Sequence, residues 1–266
     1  MHRAITIAAS DSAAASGVQS DLKVFDRCGV YGACAVTTIT AQDTFTVRRL
    51  YKLPASIVGA QIDAVTTDLG VGACKIGWYY SAELTTVIAG RVRRRSLHPV
   101  VLDPSLWSER GMALTPPRTI KRMIRELFPV ATVVTVTARE LKVLSGTPGE
   151  TAEELASAAA RIRAMGPQSV VVEDAPAPEG STVLVFDARG AEQVASGPAR
   201  GVVAGAGSIF SAALTAALAR GDDLRQGARF AARFLEAAIG NAEVLGKGLP
   251  VAATLPVMEH QPPGEI

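Results

Sequence analysis

Short apolar runs alternate with helical patterns along most of the chain. The runs Ala4–Ala8, Ala35–Thr40, Ala73–Ile76, Val100–Leu102, Thr132–Val136 and Ser169–Val172 predict strands. Between them, apolar residues recur at helical spacing. In Val18–Cys28, the residues Val18, Leu22, Phe25 and Cys28 fall on one face. Ile57–Leu69, Ser81–Arg94, Pro117–Leu127 and Glu150–Met165 read the same way. This alternation predicts a mainly parallel sheet covered by helices on both faces. Near the end the rhythm changes. Thr182–Asp187, the turn Ala188-Arg189-Gly190 and Glu192–Ala195 predict a β-hairpin. Two Ala-rich helices follow, about Ser208–Arg220 and Leu224–Gly240.

No Pro/Ser/Gly linker or internal repeat divides this pattern, so one domain is expected over residues 1–254, followed by a loosely ordered tail over 255–266. With 266 residues, 48% apolar and 20% charged, the chain can bury a substantial core. A net charge of +2 gives no reason to expect nucleic acid or a membrane surface as partner. Cys28, Cys34 and Cys74 form no CxxC pair, which predicts buried free thiols in a reducing compartment. His2, His98 and His260 are scattered, which argues against a histidine metal site or a Ser-His-Asp triad. The opening Met1–Ile7 is too brief for a signal segment, and no apolar run approaches the ~20 residues of a membrane span. A cytoplasmic protein is expected.

Ligands of open parallel sheets sit beyond the carboxyl ends of the strands. That rule singles out Ala9–Gly17, Ala41–Thr44, Gly77-Trp78, Asp103–Gly111, Thr137–Glu140 and Glu173–Ala175. Gly205-Ala206-Gly207-Ser208 adds to them, because it runs straight into an apolar helix. Two glycines there let backbone N–H groups face an anion at the positive end of the helix dipole. A short Gly-x-Gly is also an ordinary helix start. The Ser208 hydroxyl does not ionise near neutral pH and is a poor proton acceptor unless a separate base activates it.

Taken in order, these segments resemble the hydroxymethylpyrimidine and hydroxymethylpyrimidine-phosphate kinases of thiamin biosynthesis, a branch of the ribokinase-like superfamily. The likeness runs from Ala4 to about Pro250 and is carried by Thr6–Ser12, Gly17–Lys23, Tyr31-Gly32, Thr40–Thr44, Lys75-Ile76-Gly77, Val101–Pro104, Glu140, Gly205–Ser208 and Leu245–Gly248. It implies a three-layer ribokinase-like α/β fold with a central, mostly parallel sheet and helices on both faces. The implied activity is ATP-dependent phosphorylation of a hydroxymethyl group on a pyrimidine, with ATP and Mg2+ as cofactors. It also implies a small aromatic heterocycle as ligand and a homodimer.

The departures from the family pattern fall on the chemistry. The glycine-rich first loop reads Ala9, Ala13-Ala14-Ala15 and Ser16, and each added Cβ restricts backbone with φ > 0. Lys-Thr-Gly-Met becomes Lys75-Ile76-Gly77-Trp78, and Pro-Asn-x-x-Glu becomes Val136-Thr137-Ala138-Arg139-Glu140. Lys-Gly-Gly becomes Glu173-Asp174-Ala175, exchanging a phosphate-binding cation for two anions. Gly-Thr-Gly-Cys becomes Gly205-Ala206-Gly207-Ser208, with serine at the base position. A unit charge reversal ~5 Å from a phosphate costs several kcal/mol even at an effective dielectric of about 20. Weak or lost kinase activity is therefore expected, and with lost activity no ATP or Mg2+ need bind. A pseudokinase holding an aromatic heterocycle or a protein partner, or a repurposed enzyme using the same pocket, are the alternatives.

By this resemblance Gly205 and Gly207 form the anion hole, and Ala9, Asp11, Ser16, Gln42 and Trp78 line the substrate pocket. Thr137 and Glu173 stand at nucleotide positions, and Asp103 and Glu140 at metal positions. Simpler roles stay open beside these. Asp11 serves the pocket or caps a turn, and Asp103 holds magnesium-bound water or caps the turn at Pro104. Glu140 binds metal or pairs with Arg139 on a helix surface. Asp21 reads as structural or solvated, Lys75 as snorkelling or ion-paired, and Arg91–Arg95 as a solvated helix end. Ala9, Ser16 and Trp78 are expected to narrow the cavity beneath Gln42.

Overall fold

The computed structural model describes residues 1–178, 180–197 and 201–253; the tail expected from residue 255 lies outside them. Its elements in chain order are β1 (His2–Asp11), α1 (Gly17–Arg27), β2 (Val30–Gln42), β3 (Val47–Lys52), α2 (Ala55–Asp68), β4 (Ala73–Ile76), α3 (Ala82–Arg94) and β5 (Val100–Leu102). Then follow α4 (Pro117–Glu126), β6 (Val133–Val136), α5 (Ala138–Ser145), α6 (Ala152–Ala164), β7 (Ser169–Ala177), β8 (Gly180–Asp187), β9 (Gly190–Gly197), α7 (Ala206–Arg220) and α8 (Leu224–Gly240). The strands form one sheet in the order β3-β2-β1-β4-β5-β6-β7-β8-β9. From β2 to β7 every pairing is parallel, while β3 at one edge and β8-β9 at the other pair antiparallel.

Period-two alternation divides each central strand between two cores. Val100 and Leu102 of β5, Val134 and Val136 of β6 and Val170 and Val172 of β7 pack with α2, α3, α4 and α6. Val101, Val133 and Val171, on the opposite face, pack with α1, α7 and α8. Helices therefore cover both faces of a mostly parallel sheet, a three-layer α/β fold. Helix α7 has unbroken burial from Ile209 to Ala217, which explains its lack of a polar face.

β3 and α5 are absent from the expected elements. β3 carries Arg48, Arg49 and Lys52 among its six residues, so it has no apolar run to read. Helix α5 spans only eight residues, too short to establish a period, although Thr137-x-x-Glu140 is a capping-box signature. Arg93, Arg94 and Arg95 are exposed at the end of α3, as expected, while Arg91 and Arg95 also bond the Asp63 carboxylate of α2. The thiols are all free, but Cys34 is only half-buried.

Candidate active site

The carboxyl ends of β1, β2, β4, β5, β6 and β7, with the N-terminus of α7, enclose a cavity of about 660 Å3. Every residue expected at a site lines it. Ala9, Ser16 and Trp78 are among its walls, yet the volume sits within the ~300–1,000 Å3 of small-molecule sites. Ala9, Ser16 and Trp78 thus bound an open cavity of small-molecule size. The indole Nε1 of Trp78 is buried with no hydrogen-bond partner among the described residues.

Asp11, the last residue of β1, organises the first loop. Its Oδ1 accepts from the Ala13 N–H, and its Oδ2 accepts from the N–H groups of Ala15 and Ser16 and from the Ser16 hydroxyl. The carboxylate is 3% exposed and spent on these bonds, which makes it a turn-capping group in the cavity wall. Ala14 adopts φ +55°, so the loop keeps a left-handed residue without a glycine to hold it. Gln42 ends β2, its Oε1 accepting from the Thr40 hydroxyl at 3.3 Å.

Gly205 precedes α7 at φ +83°, and a Cβ there would lie 1.8 Å from the Ala15 carbonyl oxygen. Only glycine lets the first loop and the mouth of α7 meet. The outward Gly205 N–H has a partner: Glu109, in the loop after β5, accepts it through Oε1 at 2.8 Å. Glu173 stands on the other side of the turn, its Oε2 3.7 Å from where a Gly207 Cβ would sit. Two carboxylates of this chain thus occupy the neighbourhood of the helix N-terminus.

Behind the turn lies a buried ion pair. Lys75 and Asp21 are both fully buried and bonded to each other. Lys75 Nζ also donates to the Ser208 carbonyl at 3.0 Å and to Ser208 Oγ at 3.2 Å. Ser208 Oγ in turn donates to Asp21 Oδ1 at 3.1 Å. Of the readings open for Lys75, the ion pair is the one observed, and Asp21 is buried rather than solvated.

Asp103, just after β5, and Glu140 of α5 face the cavity. Asp103 accepts from Ser105 Oγ at 2.7 Å and from Ser211 Oγ at 2.8 Å. Glu140 accepts from the Leu106 N–H at 2.7 Å and closes the capping box with Thr137. Burial and the nearby Asp103 charge push the Glu140 carboxyl up to about 7, against the hydrogen bonds that favour its ionised form. Glu140 does not pair with Arg139, whose guanidinium stacks 4.4 Å over the Trp107 ring and lines the cavity. Among the described residues no three His, Cys, Asp or Glu side chains form a metal-binding group. Asp103 and Glu140 still suit a hydrated divalent cation, since their bonds leave lone pairs and opposite charge would relieve their repulsion.

Glu109, Arg139 and the choice of Asp21 as the partner of Lys75 are what pattern reading missed. The first two sit in segments it singled out, but nothing local shows that they turn inward. The pair joins residues 54 positions apart, a distance no motif spans.

A helix N-terminus and two carboxylates around a small-molecule cavity, at the carboxyl edge of this sheet, define a ribokinase-like small-molecule kinase fold. The chain belongs to the phosphomethylpyrimidine kinase family, whose model matches residues 11–252. It is 38% identical over 252 residues to a hydroxymethylpyrimidine/phosphomethylpyrimidine kinase of Rhizobium meliloti, covering 92% of this chain and 93% of the relative. A pyridoxine kinase of Bacillus subtilis is 32% identical over 245 residues, covering 90% of each. The solved pyridoxal kinase of Staphylococcus aureus in complex with ADP superposes with a TM-score of 0.85 at 28% identity, covering 96% of this chain and 93% of that one. No helix among the described residues is long and apolar enough to cross a membrane.

Proposed function

We propose that the protein transfers the γ-phosphoryl group of ATP to the hydroxymethyl group of a pyrimidine in thiamin biosynthesis, with weak nucleotide binding. The observation that carries this reading is the open cavity joining Gln42, the α7 N-terminus and Ser208. Gln42 is suited to a heterocycle edge, while Gly205 and Gly207 offer N–H groups to the transferring phosphate. Arg139 supplies a cation in the cavity where the family's Lys-Gly-Gly has become Glu173-Asp174-Ala175. Asp103 and Glu140 would hold Mg2+ through its water shell, and the ion would neutralise phosphate charge. The same reading carries one catalytic domain per chain in a cytoplasmic homodimer.

Weak binding follows from Glu109 and Glu173, which set negative charge beside the N–H groups a phosphate must reach. The Glu109 bond to Gly205 also favours a second reading, a pseudokinase that holds a heterocycle without turnover. Calorimetric titration with Mg-ATP and an ADP-release assay with hydroxymethylpyrimidine and pyridoxine separate the two. The expected result is turnover of hydroxymethylpyrimidine with a nucleotide affinity no tighter than about millimolar, or ~4 kcal/mol. Heterocycle binding without ADP release from either compound would establish the pseudokinase instead.

A further inference from the structure

Ser208 occupies the base position of a phosphotransferase with a hydroxyl that does not ionise at neutral pH. The structure supplies the missing base one residue deeper. Asp21, an ionised carboxylate, can only accept hydrogen bonds, and the Lys75 ammonium can only donate them. The Ser208 hydroxyl between them must therefore give its single hydrogen to Asp21 Oδ1 while accepting one from Lys75 Nζ. One Oγ lone pair remains, on a residue that lines the cavity. Any hydroxyl arriving there can only donate to Ser208, so the direction of proton flow is set before substrate binds.

Resting on the kinase reading above, we propose that Asp21 is the terminal proton acceptor of the phosphoryl transfer, working through Ser208. The substrate hydroxyl oxygen attacks the γ-phosphorus of the nucleoside triphosphate as its O–H bond breaks. That proton joins Ser208 Oγ, and the original Ser208 proton passes to Asp21 Oδ1. The bond from phosphorus to the β,γ-bridging oxygen breaks, and its electron pair leaves with the diphosphate. Afterwards the proton returns through Ser208 to the phosphorylated product or to water. Asp21 touches Ser208 and not the substrate, so it is a positioning residue.

The surroundings of Asp21 suit this role. Burial raises its carboxyl above the usual range, Lys75 on β4 pulls it back, and Asp103 after β5 adds to the rise. From β2, Cys34 is the other titratable group facing it, its thiol held up by burial and by the Asp21 charge. The Thr6 hydroxyl holds Asp21 Oδ2, leaving Oδ1 for Lys75 and Ser208. A buried ion pair is seldom worth its desolvation cost in stability alone, and this one converges on a cavity-lining hydroxyl.

The test compares wild type with Asp21→Asn/Lys75→Met, which removes both buried charges together, and with Asp21→Asn/Ser208→Asp, which moves the carboxylate into direct reach of substrate. Thermal melts verify folding. The charge-stripped variant should lose about 100-fold in kcat, with KM for hydroxymethylpyrimidine within about threefold. The carboxylate-swapped variant should regain at least about tenfold of that loss. Should the charge-stripped variant fail to fold, the swapped variant decides alone: measured beside Asp21→Asn, its recovery supports the relay and its absence overturns it. A folded charge-stripped variant with wild-type kcat also overturns it.

If wild type releases no ADP, the kinase reading is what fails, and the relay is judged in the Ser208→Cys background. There the introduced thiol, followed by thiolate absorbance, should ionise about one pH unit lower once Asp21→Asn removes the neighbouring carboxylate. An unmoved titration would overturn the coupling between the two positions.

Discussion

Glu109 shows how much one side chain can bias this site. Its carboxylate takes the Gly205 N–H at 2.8 Å, the group that a phosphate oxygen would otherwise receive. A nucleotide must break that bond and approach a like charge. Glu109 is exposed, so water screens the interaction and its cost is modest. Glu109→Ala should tighten Mg-ATP binding by about five- to tenfold, corresponding to ~1 kcal/mol, in a calorimetric titration at low salt. Unchanged affinity would mean that the loop after β5 swings clear of the nucleotide at no cost. Arg139 works in the opposite sense, bringing a cation to the cavity from a helix position that also stacks on Trp107.

Helix α5 exists because of its cap. Thr137 and Glu140 close a reciprocal box, and Asp174 Oδ1 accepts the Ala138 N–H at 2.6 Å, so the first turn has partners for its otherwise orphaned donors. The arrangement buries Glu140 beside Asp103 and lifts its carboxyl from an ordinary 4.5 to about 7. In this interval the folded state holds a proton that the unfolded state has released. Glu140 therefore contributes stability that is fully present below pH 4.5 and lost as pH rises through about 7, with an upper bound of about 3 kcal/mol. The melting temperature in metal-free buffer should fall across that window, and Glu140→Gln should flatten the fall. Saturating Mg2+ should flatten the wild-type slope by favouring the ionised carboxylate; an unaffected slope would place the metal away from Asp103 and Glu140.

At the scale of the whole molecule, one continuous sheet joins the two cores. Adjacent residues such as Val100 and Val101 lie on opposite sides of it, so neither core can loosen without exposing the other's floor. Burying each such side chain is worth ~1.5–3 kcal/mol, a gain that depends on both helical layers being in place. The described chain should therefore melt as a single unit, with calorimetric and van't Hoff enthalpies in agreement. Two resolved transitions would divide the chain into separate folding units and overturn the one-domain proposal.

The chain by itself determined the layered architecture, since short apolar strands and periodic helices are local patterns. β4 and β5 fall on the expected Ala73–Ile76 and Val100–Leu102 because isolated apolar runs leave no choice of boundary. The same local logic located the site, because a parallel sheet opens its carboxyl ends to ligand and glycines beside a helix start advertise an anion-binding turn. Polar partnerships were decided only by the tertiary structure. Glu109 was found at Gly205, and Asp21 beneath Ser208. Hydrophobic burial depends on the character of each residue and leaves a periodic trace along the chain. A hydrogen bond or ion pair depends on two particular atoms meeting within about 3 Å, and for residues as far apart as Asp21 and Ser208 only the completed fold sets that distance.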